Sequence, residues 1–135
     1  MKRILSIAAA LLVAMTTTVW AQQSVSAYAS CDEGMAKDLF AQFEKETSIA
    51  VKFVRLSGGE AITRMEAEKA NPQVSIWVGG VGLDHIAGKA KGLTVAYKSR
   101  VAGTIPAIYR DPEDFWTGIY IGPLTFFTNN KRAAE

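Results

Sequence analysis

Cysteine and histidine are scarce in this chain, which excludes several kinds of site. The 135 residues include one cysteine and one histidine, Cys31 and His85. A structural zinc site needs a cluster of such ligands, and a catalytic triad needs a histidine placed beside a nucleophile. Cys31 has no partner with which to form an internal disulfide. For His85, the polar neighbours on a short helix predict a surface position.

The glycine-rich turns lack the residues that nucleotide-binding loops require. A Walker loop needs lysine and then Ser or Thr after its last glycine, whereas Gly59 is followed by Glu60 and Ala61. The segment GGVG (79–82) has no third glycine three residues on, as the dinucleotide fingerprint would need. A nucleotide is therefore not the expected ligand.

The chain also has no excess of charge of either sign once a predicted N-terminal signal peptide is removed. The chain begins with Lys2 and Arg3, continues with an apolar run over 4–15, and reaches small residues ending at Ala21. This pattern predicts a signal peptide over 1–21 and export to the periplasm. Its removal leaves 13 basic residues against 13 acidic ones. A neutral domain is not expected to bind nucleic acid, which requires clustered cations.

The residues that follow alternate between strand and helix patterns. Strands are predicted over 24–30, 49–56 and 73–80, and helices over 32–48, 59–71 and 83–92. This β-α-β-α-β-α order predicts an α/β fold with a mostly parallel sheet and helices on both faces. Residues 94–116 predict a long irregular excursion. Residues 117–130 are again extended, and Pro123 confines them to an edge or crossing position.

Three strand-to-helix turns carry the candidate site, because ligands of open α/β sheets bind beyond the carboxyl ends of the strands. They are SCDE (30–33), SGGE (57–60) and VGGVGLD (78–84). The first two predict capping boxes, Ser30 with Glu33 and Ser57 with Glu60, and a capped helix needs no ligand. Glu60 would repel a phosphate unless the cap occupies its carboxylate. Side by side, with the SGG turn in the middle, the three turns would still offer free amides to an anion.

Several side chains near these turns have two interpretations. Cys31 at a helix N-terminus is either a small filler or a thiolate nucleophile of an exported enzyme. Trp116 and Tyr120 either stack on a ligand or fill the core, and the position of Trp77 in mid-strand favours the core. Asp84 either caps the third helix or faces the cleft.

At these turns the chain resembles a known family. The stretch YASCDEGMAKDLFAQFEKETSIAVKFVRLSGGEAITRMEAEKANPQVSIWVGG, with the later IPAIYRDPEDFWTGIYIGPLTFFTNN, is similar to solute-binding receptors of bacterial ABC importers. The most similar branch contains ferric-iron receptors and their phosphonate- and sugar-phosphate-binding relatives. The resemblance covers essentially all of 24–135. It implies a type II periplasmic binding protein, whose two α/β lobes close on solute and signal to an inner-membrane permease.

The resemblance also implies domain bounds and contacts. Residues 22–116 would form the first lobe, and 117–135 a hinge strand and the start of a crossing to a second lobe that these residues do not contain. The implied ligand contacts are hydroxyl and backbone N–H donors, namely Ser30, Cys31, Ser57, Gly58, Gly59, Gly79, Gly80 and, from the hinge strand, Tyr120.

Iron-binding members of this family differ from the chain at two turns. They place a histidine in the first turn and an acidic ligand in the third, where this chain has Ser30-Cys31-Asp32 and Gly79-Gly80. Asp32 alone is a weak candidate ligand for a hard cation, so a small anionic organic solute is expected rather than iron. We expect a monomeric receptor with no cofactor and no catalytic residue. Residues 22–135 alone are expected to be marginally stable and to bind solute weakly or not at all.

Overall fold

The fold was analysed in a computed structural model that describes residues 23–132, so the predicted signal peptide lies outside the described residues. Three strands form one sheet: β1 (Ser24–Ser30), β2 (Ala50–Arg55) and β3 (Ile76–Gly79). Their order is β2-β1-β3, and both pairings are parallel. The parallel sheet predicted from the alternating pattern is confirmed.

Helices follow each strand, as the pattern predicted: α1 (Glu33–Thr47), α2 (Gly58–Ala67) and α3 (Gly82–Ala90). The predicted end of α2 at Asn71 is wrong by four residues. The backbone N–H of Lys69 bonds to the Glu66 carbonyl and that of Asn71 to the Glu68 carbonyl, so the chain tightens into turns before Pro72.

One face of the sheet packs against α1. Ala36 and Phe40 of this helix are buried against Ala27 and Ala29 of the central strand. The Phe40 ring meets the Phe53 ring of β2 with centroids 5.1 Å apart. Because side chains alternate along a strand, the residues between these point to the other face.

The opposite face of the sheet is covered from the side of α2. Tyr28 of β1 is 1% exposed, and its hydroxyl donates a 2.6 Å hydrogen bond to Glu68 Oε2 just after α2. The Arg64 guanidinium lies 5.3 Å from the centre of the Tyr28 ring, and Ala61 is fully buried. Helices therefore lie on both faces, as predicted.

The segment that follows α3 is built differently. It contains two short 3₁₀ turns, Ala102–Thr104 and Ala107–Tyr109, and one antiparallel bridge between Arg110 and Thr117. Residues 118–130 form no strand in the described structure, so the hinge strand predicted over 117–135 stays a prediction. Among the residues described, none of the helices has the length and apolar character needed to span a membrane.

Candidate functional site

The sheet order determines which strand ends lie together. β1 is central, with β2 and β3 on opposite sides of it, so the turn after β1 is the middle one. The expectation that the SGG turn stands in the middle is wrong, because β3 pairs with β1 rather than with β2. In open α/β sheets the crevice forms where the chain changes direction in this way. The candidate crevice therefore lies between the ends of β1 and β3.

The first turn is capped by a different residue from the one predicted. Asp32, directly before α1, accepts through Oδ1 from the amides of Gly34 (2.8 Å) and Met35 (3.3 Å). The Ser30–Glu33 capping box is therefore wrong. Ser30 remains in β1, opposite Gly79 in the strand register. Its hydroxyl accepts a 2.9 Å hydrogen bond from the indole Nε1 of Trp77.

Cys31 does not have the properties of an activated nucleophile. It is 8% exposed, and burial, followed by the nearby Asp32 carboxylate, raises the pKa of its thiol. An activated cysteine at a helix N-terminus would have a lowered pKa. Of the two interpretations of Cys31, the small filler is favoured over the thiolate nucleophile, because desolvation disfavours the thiolate more strongly than the charge of Arg55 favours it.

The second turn forms the predicted capping box. The Glu60 amide donates to Ser57 Oγ at 3.3 Å, and the Ser57 amide donates to Glu60 Oε2 at 2.8 Å. The bond from the Ser57 backbone, followed by the bond with its side chain, lowers the pKa of Glu60. The cap therefore occupies the carboxylate that would otherwise repel an anion at this turn.

A second carboxylate reaches the same helix start from α3. A Cβ atom added to Gly58 would lie 1.9 Å from Asp84 Oδ2, and one added to Gly80 would lie 3.4 Å from it. The Val81 amide also donates to Asp84 Oδ2 at 3.4 Å. Asp84 thus caps α3 and places its charge beside the N-terminus of α2, where an incoming anion would compete with it.

The glycines of the third turn are required by its packing on the first turn. Gly79 and Gly80 have φ angles of +83° and +81°, which residues with a side chain rarely adopt. A Cβ on Gly79 would lie 2.8 Å from Cys31 Cβ and 2.9 Å from the Ser30 carbonyl group. The Gly80 amide donates a 2.7 Å hydrogen bond to the Ser30 carbonyl. These glycines therefore have a structural role that needs no ligand.

His85 is not placed on the surface as predicted. Its ring lies on Trp77 with centroids 4.2 Å apart and an interplanar angle of 32°. His85 Nε2 lies 2.6 Å from the Gly79 carbonyl oxygen. The expectation of a surface position is wrong because α3 turns this side chain back over β3. The sequence places His85 in the first turn of α3, four residues after Val81. It gives no signal that the ring of His85 would lie on Trp77.

A cavity of about 280 Å³ opens beside the third turn. One wall comes from β3, the third turn and α3, and the other from residues 108–120. Of the predicted contacts, Gly79, Gly80 and Tyr120 line the cavity, whereas Ser57–Gly59 do not. Its lining is Trp77, Val78, Gly79, Gly80, Gly82, His85, Ile108, Tyr109, Trp116, Thr117, Gly118, Ile119 and Tyr120.

The second wall is held to α3 by an ion-pair cluster. Lys89 Nζ lies 3.0 Å from Asp111 and 2.6 Å from Glu113. Asp111 is 7% exposed and also accepts from the amides of Glu113 and Phe115. Burial alone would raise the pKa of Asp111, but the Lys89 ammonium and these amides outweigh it and lower the pKa. Two backbone bonds, Asp111 to Trp116 and Gly118 to Tyr109, close the wall.

Arg55 is a charged residue at this edge that the sequence analysis missed. It ends β2, and its Nε donates a 2.9 Å hydrogen bond to the Cys31 carbonyl. This bond places a guanidinium between the first and second turns. Its position directly before the SGG turn, at the carboxyl end of a predicted strand, was the available signal.

Neither the first turn nor the third supplies a metal cluster. Asp32, the weak candidate ligand, uses Oδ1 to cap α1. Within 23–132, no three His, Cys, Asp or Glu side chains come together in a way that could hold a metal ion.

Comparisons with known proteins give the following relatives. No protein-family model matches the chain. A Haemophilus influenzae protein described as uncharacterized is 28% identical over 97% of this chain and 40% of its own length. The structure of the periplasmic binding protein AfuA from Actinobacillus pleuropneumoniae, with fructose-6-phosphate bound, is 28% identical with a TM-score of 0.64. It matches 69% of this chain and 29% of its own.

Two iron-associated structures are also similar. The Trichodesmium protein IdiA (FutA), in complex with iron and citrate, is 25% identical with a TM-score of 0.65, over 70% of this chain and 30% of its own. Iron-bound HitA from Pseudomonas aeruginosa is 15% identical with a TM-score of 0.68, over 72% of this chain and 32% of its own. At this identity the similarity supports the fold alone. The chain spans less than a third of the length of each of these solved chains.

Proposed function

Because the described residues have the fold of part of a type II periplasmic-binding-protein lobe, we propose that this chain belongs to an exported solute receptor. The receptor captures a small anionic solute in the periplasm and delivers it to an inner-membrane ABC permease. The observation that carries the proposal is the open cavity beside the β1/β3 crevice, at the third of the turns that the sequence singled out. Lobe closure on solute would provide the signal to the permease.

The charge of the solute is inferred from the second turn and its neighbours. The start of α2 offers the backbone amides of Gly58 and Gly59, and Arg55 adds a full positive charge beside it. Asp84 opposes an anion there, so we propose that its carboxylate moves away or shares the site when solute binds. The ligands in two of the relatives, fructose-6-phosphate and iron with citrate, include organic anions.

The proposed contacts follow from the placement of the predicted residues. Gly80 and Tyr120 would meet the solute directly at the cavity, and Ser57–Gly59 would meet its anionic group. Ser30 and Cys31 are packed behind the third turn, and we propose that they act by positioning Gly79. An organic anion is preferred over iron as the solute, since iron would need ligands from outside the described residues.

Titration of the whole gene product tests the proposal. Isothermal calorimetry against fructose 6-phosphate, inorganic phosphate and ferric citrate is expected to give heat with at least one organic anion. Arg55→Met should weaken that binding by roughly tenfold, because a charge-assisted hydrogen bond is lost. Arg100→Met, an exposed arginine in the irregular segment, is the matched control and should leave the affinity unchanged. The absence of heat from every anion would refute the proposal.

A further inference from the structure

The cavity has an unusual chemical character for a site that would hold an anion. Its lining contains no Lys, Arg, Asp, Glu, Asn or Gln side chain. Aromatic side chains line both walls instead, two from the β3–α3 side and three from residues 108–120. They are Trp77, His85, Tyr109, Trp116 and Tyr120.

The polar groups of the first wall are already engaged within the protein. The Trp77 indole N–H is donated to Ser30 Oγ, and His85 Nε2 is engaged with the Gly79 carbonyl. On the second wall, the Trp116 indole N–H is buried without a hydrogen-bond partner among the described residues and could serve one ligand acceptor. A hydroxyl-rich sugar ring would bury several hydroxyls against a lining without charged or amide side chains, which is unfavourable for each hydroxyl left unpaired. A flat ring would meet the faces and edges of the aromatic side chains and has fewer polar groups of its own to pair.

The size of the cavity also suits one ring. An apolar protein cavity of about 150 Å³ holds benzene, and this cavity has about 280 Å³. It therefore has room for a six-membered ring with one substituent. Gly80 belongs to both the cavity lining and the Asp84 neighbourhood, so a substituent leaving the cavity there would reach the turns.

We propose that the cavity takes the uncharged aromatic ring of the solute, while the anionic group of the solute remains outside at the turns. This inference rests on the proposed function and narrows its substrate class to aromatic organic anions. A bare inorganic anion or a metal ion would leave the aromatic cavity empty.

Occupancy of this cavity can be followed by tryptophan fluorescence. Two of the three tryptophans, Trp77 and Trp116, line it, and the third, Trp20, lies in the predicted signal peptide. The whole gene product, without its signal peptide, is titrated with phenyl phosphate, inorganic phosphate and glucose 6-phosphate. Phenyl phosphate is expected to bind at least about tenfold more tightly than the other two, because only its ring is buried in the cavity.

A pair of tyrosine variants provides the matched control. Tyr109 lines the cavity, whereas Tyr97 is 72% exposed and does not line it. Tyr109→Ala should weaken phenyl phosphate binding about three- to tenfold and leave inorganic phosphate unaffected. Tyr97→Ala should change neither.

The outcomes separate this inference from the proposed function. Equal affinity for phenyl phosphate and inorganic phosphate, tighter binding of glucose 6-phosphate, or insensitivity to Tyr109→Ala would each overturn the aromatic-ring inference and leave an anion receptor in place. If none of these anions, nor ferric citrate, binds, the proposed function fails and the inference fails with it.

Discussion

The sheet with α1 and the segment over 94–132 differ in how they are stabilised. In the sheet, Ala27, Tyr28 and Ala29 are at most 1% exposed, whereas Leu124 and Phe127 of the later segment are 89% and 97% exposed. The sheet is held by a packed apolar layer under α1 and, on the other face, by the contacts of Tyr28 with Glu68 and Arg64. The segment is held by one ion-pair cluster, one bridge and a few backbone bonds. The cavity lies between the two, so its shape depends on the more weakly attached region.

This difference separates global from local stability. Burial of apolar side chains in the sheet stabilises the whole fold, because its loss exposes a shared core. Loss of a contact in the segment opens only that segment, since regions with few buried contacts open locally at low free energy. The four predictions below test this distinction, with the substitutions, which have the larger expected effects, before the two pH changes.

Phe40→Ala is expected to have the largest effect, because it removes the ring that packs on Phe53 and the central strand. A buried Phe→Ala change typically lowers the free energy of unfolding by about 3–5 kcal/mol. Both regions should therefore unfold together, as measured by circular dichroism during denaturant unfolding.

Leu39→Ala is the control for this change, since Leu39, the neighbour of Phe40 on the same helix, is 42% exposed. It should be destabilising by clearly less than Phe40→Ala. Equal effects of the two substitutions would contradict a core centred on Phe40.

Lys89→Met is expected to release the second cavity wall alone. It removes the cation that pairs with the buried carboxylate of Asp111 and with Glu113. Proteolysis within 110–120 should become several times faster, and the Trp116 emission should shift to the red, while the far-ultraviolet dichroism of the sheet is retained. Lys98→Met, on an exposed side chain of the same segment, should do neither. Global unfolding by Lys89→Met would show that the two regions are one cooperative unit.

Acidification is expected to give the smallest and most reversible change. The pKa of Asp111 is lower than its ordinary value of 3.8, so the folded segment favours the ionised form. Its contribution is complete above the ordinary aspartate range and is lost as the pH falls through the lowered pKa. Trp116 emission should therefore report opening of the segment only at strongly acidic pH.

The matching measurement at alkaline pH tests the contribution of Lys89. The bonds to Glu113 and then Asp111 raise the pKa of Lys89, so its contribution is lost only when the pH rises above the ordinary lysine range. In Lys89→Met, the alkaline step should disappear. Opening of the segment near neutral pH would contradict the pairing.

Much of the fold could be predicted from local patterns. Periodicity predicted all three strands and all three helices, and the residues of the SGGE turn predicted a capping box that the structure contains. The cap of α1 was assigned to Ser30 rather than Asp32, because both residues suit a cap and only the end of β1 distinguishes them. The end of α2 was misplaced because the turns before Pro72 have helix-forming residues.

The candidate site was predicted less completely. The three turns were correctly recognised as strand ends, but the stacking of His85 on Trp77 and the aromatic lining from residues 108–120 were not foreseen. These contacts join side chains far apart in the chain, and no periodic pattern specifies such partners. The contacts assigned to Ser57–Gly59 stay a prediction.

The sequence by itself determined the elements, their parallel arrangement and the capping box of the second turn, because hydrophobic periodicity and turn chemistry act over a few residues. Only the tertiary structure decided that β1 is central, that Asp84 lies against Gly58, and that an aromatic cavity opens beside Gly79 and Gly80. Those outcomes depend on how the helices cross the sheet and where a distant segment folds back. Such long-range packing is a property of the whole chain rather than of any stretch within it.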